Sequence, residues 1–156
     1  MRADQTTERS TAGFSLIELL VVVLIIAILM AIAIPTFLSA RTQASNRATE
    51  ARLQNAVTDE QTFASQSADG AYGPAATLVN YNVDAALQFS SSWPAPGPQI
   101  FVDPGTDASG NHTVLLGTAD QAGHAYWVYD DAGALTYAVT AGSKPTSLPL
   151  PDTSWP

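Results

Sequence analysis

Two positions near the start of the chain have the residue types and spacing to do something specific. Glu18 is the one acid in "GFSLIELLVVVLIIAILMAIAIP", residues 13–35. An ionised carboxylate held in hydrocarbon costs about 2–3 kcal/mol even on lenient insertion scales, so it needs a cation or a route to the headgroups. Gly13 lies just upstream of it. A cut after Gly13 would make Phe14 a new N-terminus, and an amine four residues from Glu18 shares its helix face. The same cut would place Glu18 in the first turn, where the helix macrodipole favours an acid. The amine of a staggered neighbouring copy would serve equally, and in hydrocarbon such a pair would also set register. Without a cut, Glu18 is an acid near the end of a membrane helix, snorkelling to the headgroups.

The element that must hold these residues is a membrane helix. From Leu19 to Ala40 there are 22 residues without a charge, and a spanning helix needs roughly 20. A secretory signal has a shorter apolar core, about 7–15 residues, followed by its small-residue cleavage site. Here the Ala12-Gly13 pair precedes the run, so a cut there would leave the apolar segment on the mature chain. Residues 14–66 contain one Pro and no Gly, which predicts a single long helix of roughly 80 Å. Pro35 lacks a backbone donor and crowds the carbonyl of Ala31, so a kink or local opening is expected there. Further along, Leu53, Ala56, Val57, Phe63 and Ala64 fall within an arc of about 120° on a helical wheel. That stripe is expected to dock on a globular head. Glu60 falls inside it and is expected to snorkel at its edge.

Residues 67–156 hold nine of the ten Gly and nine of the ten Pro, which marks a change from helix to turns and strands. "QIFV" (99–102), "TVLLGT" (113–118), "AYWVYD" (125–130) and "ALTYAV" (134–139) read as strands of an antiparallel sheet. "DDAG" (130–133) reads as a tight hairpin loop with Gly133 at positive φ, and "TADQAG" (118–123) as a longer one. Tyr126, Trp127, Tyr129 and Tyr137 alternate on this hairpin and are expected as core and cross-strand pairs. The tail "SKPTSLPLPDTSWP" has four prolines in 14 residues and should be extended. A head of this size buries a modest core by itself, so packing on the helix should matter. The fold class is therefore α+β, a long N-terminal helix on a small C-terminal antiparallel sheet. The expected divisions are a leader over 1–13, a membrane helix over 14–40, its amphipathic continuation over 41–66, the sheet head over 67–142 and a Pro-rich tail over 143–156.

The formal net charge of −8, with six Lys and Arg in all, argues against nucleic-acid binding, because phosphate contacts need cations. The absence of Cys excludes a disulfide staple and a thiolate metal site. Arg2 and Arg9 precede the apolar run and Arg41, Arg47 and Arg52 follow it, so positive-inside counting alone slightly favours the wrong orientation for an outward-facing head, and another signal must decide. "VDPGTDASGN" offers Asp103, Asp107 and Asn111 as oxygen ligands, but not at the spacing of an EF-hand loop, and reads as a solvated turn. His112 and His124 have no cluster of ligands around them and read as solvated histidines. Asn111-His112-Thr113 fits a glycosylation sequon by pattern alone. No metal or cofactor is expected.

Gly-Phe-Ser-Leu-Ile-Glu at 13–18, running into an apolar helix, resembles the prepilin signature of type IV pilins and the related pseudopilins. Pro35 matches a proline often found in these helices, and the resemblance extends over roughly residues 9–73, including "SADGAYG". The resemblance implies that a prepilin peptidase cuts between Gly13 and Phe14 and methylates the Phe14 amine. It implies a cytoplasmic leader, a head facing outward, and later residence in an extracellular pilus. Glu18 would pair with the Phe14 amine of a neighbour in a homo-oligomeric filament, assembled by an ATPase and a platform membrane protein. The stretch around Pro35 would melt and lengthen in the fibre. The subunit would be structural, with no catalysis to perform. Ala12 stands where family leaders often carry a base, and the C-terminal disulfide of many pilins has no counterpart. The function implied is that of a type IV pilus subunit. The alternatives are a pseudopilin of a type II secretion or DNA-uptake filament, and a plain membrane-anchored binding domain.

Overall fold

The computed structural model describes residues 13–81, 87–94 and 99–155. Of the expected leader, all but Gly13 lies outside the described residues, as does Pro156 of the tail. The chain divides into two compact units, Met1–Arg41 and Thr42–Pro156. A single α-helix, α1 (Leu16–Gln66), contributes to both.

In the first unit α1 is apolar on every side. Each large apolar side chain from Phe14 to Leu38 is at least 45% exposed, so no face is used within the unit. A helix hydrophobic all round belongs in lipid or against other helices. It is long and apolar enough to cross a membrane. The α-helix continues unbroken through Pro35. The Thr36 hydroxyl folds back onto the carbonyls of Ile32 (3.1 Å) and Ala33 (2.9 Å), so this hydroxyl needs no partner from lipid.

The second unit is built on the meander β2 (Ile100–Thr106), β3 (His112–Ala119), β4 (Ala125–Asp131) and β5 (Ala134–Thr140). The pairings β2–β3, β3–β4 and β4–β5 are antiparallel, as the alternating β-branched and aromatic runs lead one to expect. Two elements depart from the sequence reading. A two-residue strand, β1 (Phe89–Ser90), pairs in parallel with β2, and a short helix, α2 (Ala75–Tyr81), follows Pro74. β2 also runs past the expected end of "QIFV" into the predicted turn, through Pro104. Proline is tolerated because β1 reaches only Ile100 and Phe101, so β2 is an edge strand at that point.

Both faces of the sheet are covered. On one, Leu53, Ala56 and Val57 of α1 pack with Ile100, Val102, Val114, Leu116, Tyr126 and Val128, with Phe63 and Ala64 partly buried beside them. The apolar stripe read from the helical wheel is thus the docking face, and α2 joins it through Ala75 and Leu78. On the other face Trp127 lies with Phe101, Leu115, Tyr129, Ala138 and Leu150, under Trp93. Trp127 and Trp93 rings stand 4.3 Å apart, and Trp127 Nε1 donates to Thr140 Oγ1 at 2.9 Å. Gly117 is the cross-strand partner of Trp127. A Cβ there would lie 2.3 Å from the indole, so only glycine lets the ring lie flat on the strand.

The Pro-rich tail closes the β5 edge. Leu150 is buried on the Trp127 face, Asp152 exchanges backbone hydrogen bonds with Tyr137 at 2.7 and 3.2 Å, and Trp155 packs on Tyr126 and Tyr137 at the opposite face. At Tyr137 the strand edge is paired by the tail, which interrupts a template for unwanted strand addition.

The turns are built by aspartates. Asp107 Oδ1 accepts from the N–H groups of Ser109 and Asn111, while Asn111 Nδ2 donates to Oδ2. Asp120 repeats this with Ala122 and His124, the His124 ring taking the place of the Asn side chain at 2.9 Å. "DASGN" and "DQAGH" are one loop design used twice. The β4–β5 turn has Ala132 (φ 50°) and Gly133 (φ 94°) at its centre, the two positive φ values of a type I′ hairpin.

Candidate assembly site and the buried acids of the head

The residues singled out at the start of the chain lie together at the beginning of α1. Among the described residues nothing lies within 4 Å of where a Gly13 Cβ would stand, and Phe14 is 79% exposed. Ser15 caps the helix: its Oγ accepts from the Glu18 N–H at 3.4 Å, and its carbonyl from Leu19 N–H at 3.2 Å. Glu18 is an exposed acid in the first turn, three residues past the cap. This is the Ser-x-x-Glu pattern of a capping box, a signal available in "SLIE" that reading the segment for charge and length alone passes over. The cap fixes where the helix starts, and so fixes Glu18 within the first turn, where the macrodipole favours it. Pro35 lies inside α1.

Asp103 and Asp107 line one surface depression of about 390 Å³, together with Asp131. Their oxygens are committed to the fold. Asp103 Oδ2 accepts from Lys144 Nζ, and Lys144 in turn sits 5.0 Å over the Phe101 ring. Asp107 holds its own loop, and the hydrogen bond from the Asn111 N–H is the first of the contacts that keep its carboxyl below the usual range. The Asn111 amide of the sequon is engaged in that loop, and Thr113 is buried. His124 is not a solitary solvated ring, since it pairs with Asp120. Burial alone would push the Asp120 carboxyl up, but bonds from the His124 ring and from the N–H groups of His124 and Ala122 outweigh it and hold it low. Among the described residues no three His, Asp or Glu side chains converge as metal ligands.

Glu60 corrects the sequence reading. It does not snorkel at the stripe's edge; it is fully buried. The chain between α1 and α2 folds over it, and the Gly73 N–H donates to its Oε2 at 2.8 Å. Among the described residues its Oε1 has no hydrogen-bond partner. Burial pushes its pKa up to about 7; the Gly73 bond opposes this, while Asp59 and Asp130 add to it. Asp130, equally buried, is differently supplied. It accepts from Gln61 Nε2 at 2.8 Å, from Gly133 N–H at 2.8 Å and from the Tyr72 hydroxyl. Burial first, then Asp130, pushes the Tyr72 hydroxyl up as well.

The family described as "Prokaryotic N-terminal methylation motif" matches residues 9–34, the stretch that holds Gly13, Phe14 and Glu18. The chain is also similar to a curated protein of Thermus thermophilus, "Type IV wide pilus major component PilA4", at 46% identity over 55 residues. That match covers 35% of this chain and 42% of the relative, so the chain spans about two fifths of the length of the protein it matches. No solved structure matches. With its methylation motif, its apolar N-terminal helix and its α+β head, the chain is type IV pilin-like, a prepilin-like protein.

Proposed function

We propose that this chain is the structural subunit of a type IV pilus. The observation that carries the reading is α1: an apolar surface exposed on every side from Phe14 to Leu38, with Glu18 as the acid of its first turn. Such a surface has two homes, the bilayer before assembly and the helices of other copies afterwards. A prepilin peptidase cuts between Gly13 and Phe14 and methylates the Phe14 amine. The leader stays in the cytoplasm and the head faces outward. On assembly, driven by an ATPase and a platform membrane protein, Glu18 pairs with the Phe14 amine of a neighbour. Leaving that carboxylate unpaired among apolar helices would cost several kcal/mol, so the pair selects one register. Pro35 leaves the Ala31 carbonyl without its helical donor, and the helix melts most readily there when the fibre is stretched. The chain performs no catalysis.

Replacing Glu18 with Ala tests this reading. Insertion and cleavage should be retained, because the apolar run and the Gly13-Phe14 pair are untouched, while filaments in sheared surface fractions should be lost. Filament yield equal to wild type would return Glu18 to a snorkelling or capping role.

A further inference from the structure

Glu60 is a buried titratable group that the assembly reading does not use. It lies on α1 with no exposed surface. One oxygen accepts the Gly73 N–H at 2.8 Å and the other has no partner among the described residues. Gly73 is held from the other side as well, since Leu78 of α2 and Phe63 of α1 come within about 3 Å of where its Cβ would be. The acid is therefore a polar tie between α1 and the segment that leads into α2. The ionisable groups that act on Glu60 are themselves acidic: Asp59 from α1 and Asp130 from β4. Tyr72, from the connecting segment, feels Glu60, Asp130 and Asp131. Among the described residues Asp130 has three donors aimed at it and Glu60 has one. A carboxylic acid tolerates one donor and an acidic neighbourhood, whereas a carboxylate does not.

We propose that Glu60 is a pH-operated latch, closed when protonated, that holds the segment Ser67–Tyr81 on α1 and releases it when the carboxyl ionises. The proton leaves to solvent, and the charge that remains faces Asp59 and Asp130 with the Gly73 N–H as its donor. Moving Ser67–Tyr81 away lets water reach the carboxylate, while the β2–β5 meander has its own backbone pairing and stays closed. Conditions more alkaline than neutral would thereby expose the α2 side of the head, and acid would seal it. The device is independent of the pilus reading, since it depends on no contact with another copy.

Hydrogen exchange read by mass spectrometry on the full chain in neutral detergent micelles tests it. Exposure times are scaled to the intrinsic exchange rate at each pH between 6 and 8.5. In the wild type, protection of Ser67–Tyr81 should fall by about tenfold or more across this range, while β3 and β4 stay protected. Glu60→Gln, which keeps the shape of the neutral acid, should hold its pH 6 protection throughout. Wild-type protection that does not change with pH, or a Gln variant that loses it in step with the wild type, overturns the latch. Should the variant fail to fold, a ¹³C-carboxyl titration of wild-type Glu60 decides the matter. A midpoint near or above neutrality supports the latch, and one in the ordinary glutamate range rules it out.

Discussion

Gly117→Ala should be the most damaging single methyl that can be added to the sheet. The new Cβ would stand 2.3, 2.5 and 2.9 Å from three carbons of the Trp127 indole, where relaxed carbon contacts lie at about 3.5–4.0 Å. The ring must retreat by about 1 Å, and it has nowhere to go. Trp93 lies on it at 4.3 Å and Phe101 at 6.0 Å between ring centroids, and its N–H is tied to Thr140. Overpacking of this kind costs about 1–3 kcal/mol, and a buried indole N–H pulled from its acceptor adds about 1–2 kcal/mol. The reduced freedom of the unfolded chain returns about 0.5–1 kcal/mol. The net expectation is a destabilisation of about 1–4.5 kcal/mol. Urea unfolding of the full chain in detergent, followed by tryptophan fluorescence, measures it. Gly105→Ala is the matched control on the neighbouring strand, because its Cβ meets only Thr113 Oγ1 at an ordinary 3.5 Å. That variant should stay within about 0.5 kcal/mol of wild type. If both alanines prove equally mild, the second core is not packed as described.

Two further outcomes follow from the buried acid and the last hairpin. The Glu60 pKa is about 7 in the folded chain against 4.5 unfolded, so the folded state holds the proton more tightly. Stability should therefore be greatest in mild acid and fall as pH rises from about 4.5 to 7, by on the order of 3 kcal/mol; urea midpoints for wild type and Glu60→Gln should diverge across that window and run parallel above it. Ala132 carries a left-handed φ of 50° that an alanine adopts at a cost; Ala132→Asn, giving the Asn-Gly pair that type I′ turns favour, should raise stability by about 0.5–1 kcal/mol in the same assay.

Some of this molecule was legible in the residues because a period or a local chemistry wrote it there. Leu53, Ala56 and Val57 recur at helical spacing, and they are the docking face of α1. The runs 113–118, 125–130 and 134–139 are rich in β-branched and aromatic residues and became β3, β4 and β5. "DDAG" announced its own turn. What stayed hidden depends on partners distant in sequence. Glu60 falls in the stripe on any helical wheel, but its burial comes from Gly73, which arrives through a connection of no clear period. Trp93 stands in a Ser- and Pro-rich stretch that resembles a surface loop, yet it roofs the second core. Gly117, inside an apolar run, signals a close approach only once Trp127 is known to lie opposite. β2 crosses Pro104 because the sheet ends beside it, a fact of topology that the word "VDPG" does not contain. At the assembly site the reverse holds. In the proposal, Gly13, Phe14 and Glu18 would work through their spacing along the chain, so the sequence carries nearly all of that reasoning, and the structure adds the Ser15 cap.

The central claim is that Gly13 marks where an amine is made and Glu18 is placed to receive it. Intact-mass and N-terminal fragment analysis of subunits from sheared, purified filaments tests this most directly. The account predicts a chain that begins at Phe14 and carries one methyl group on its amine. Filament subunits that retain residues 1–13 would contradict it.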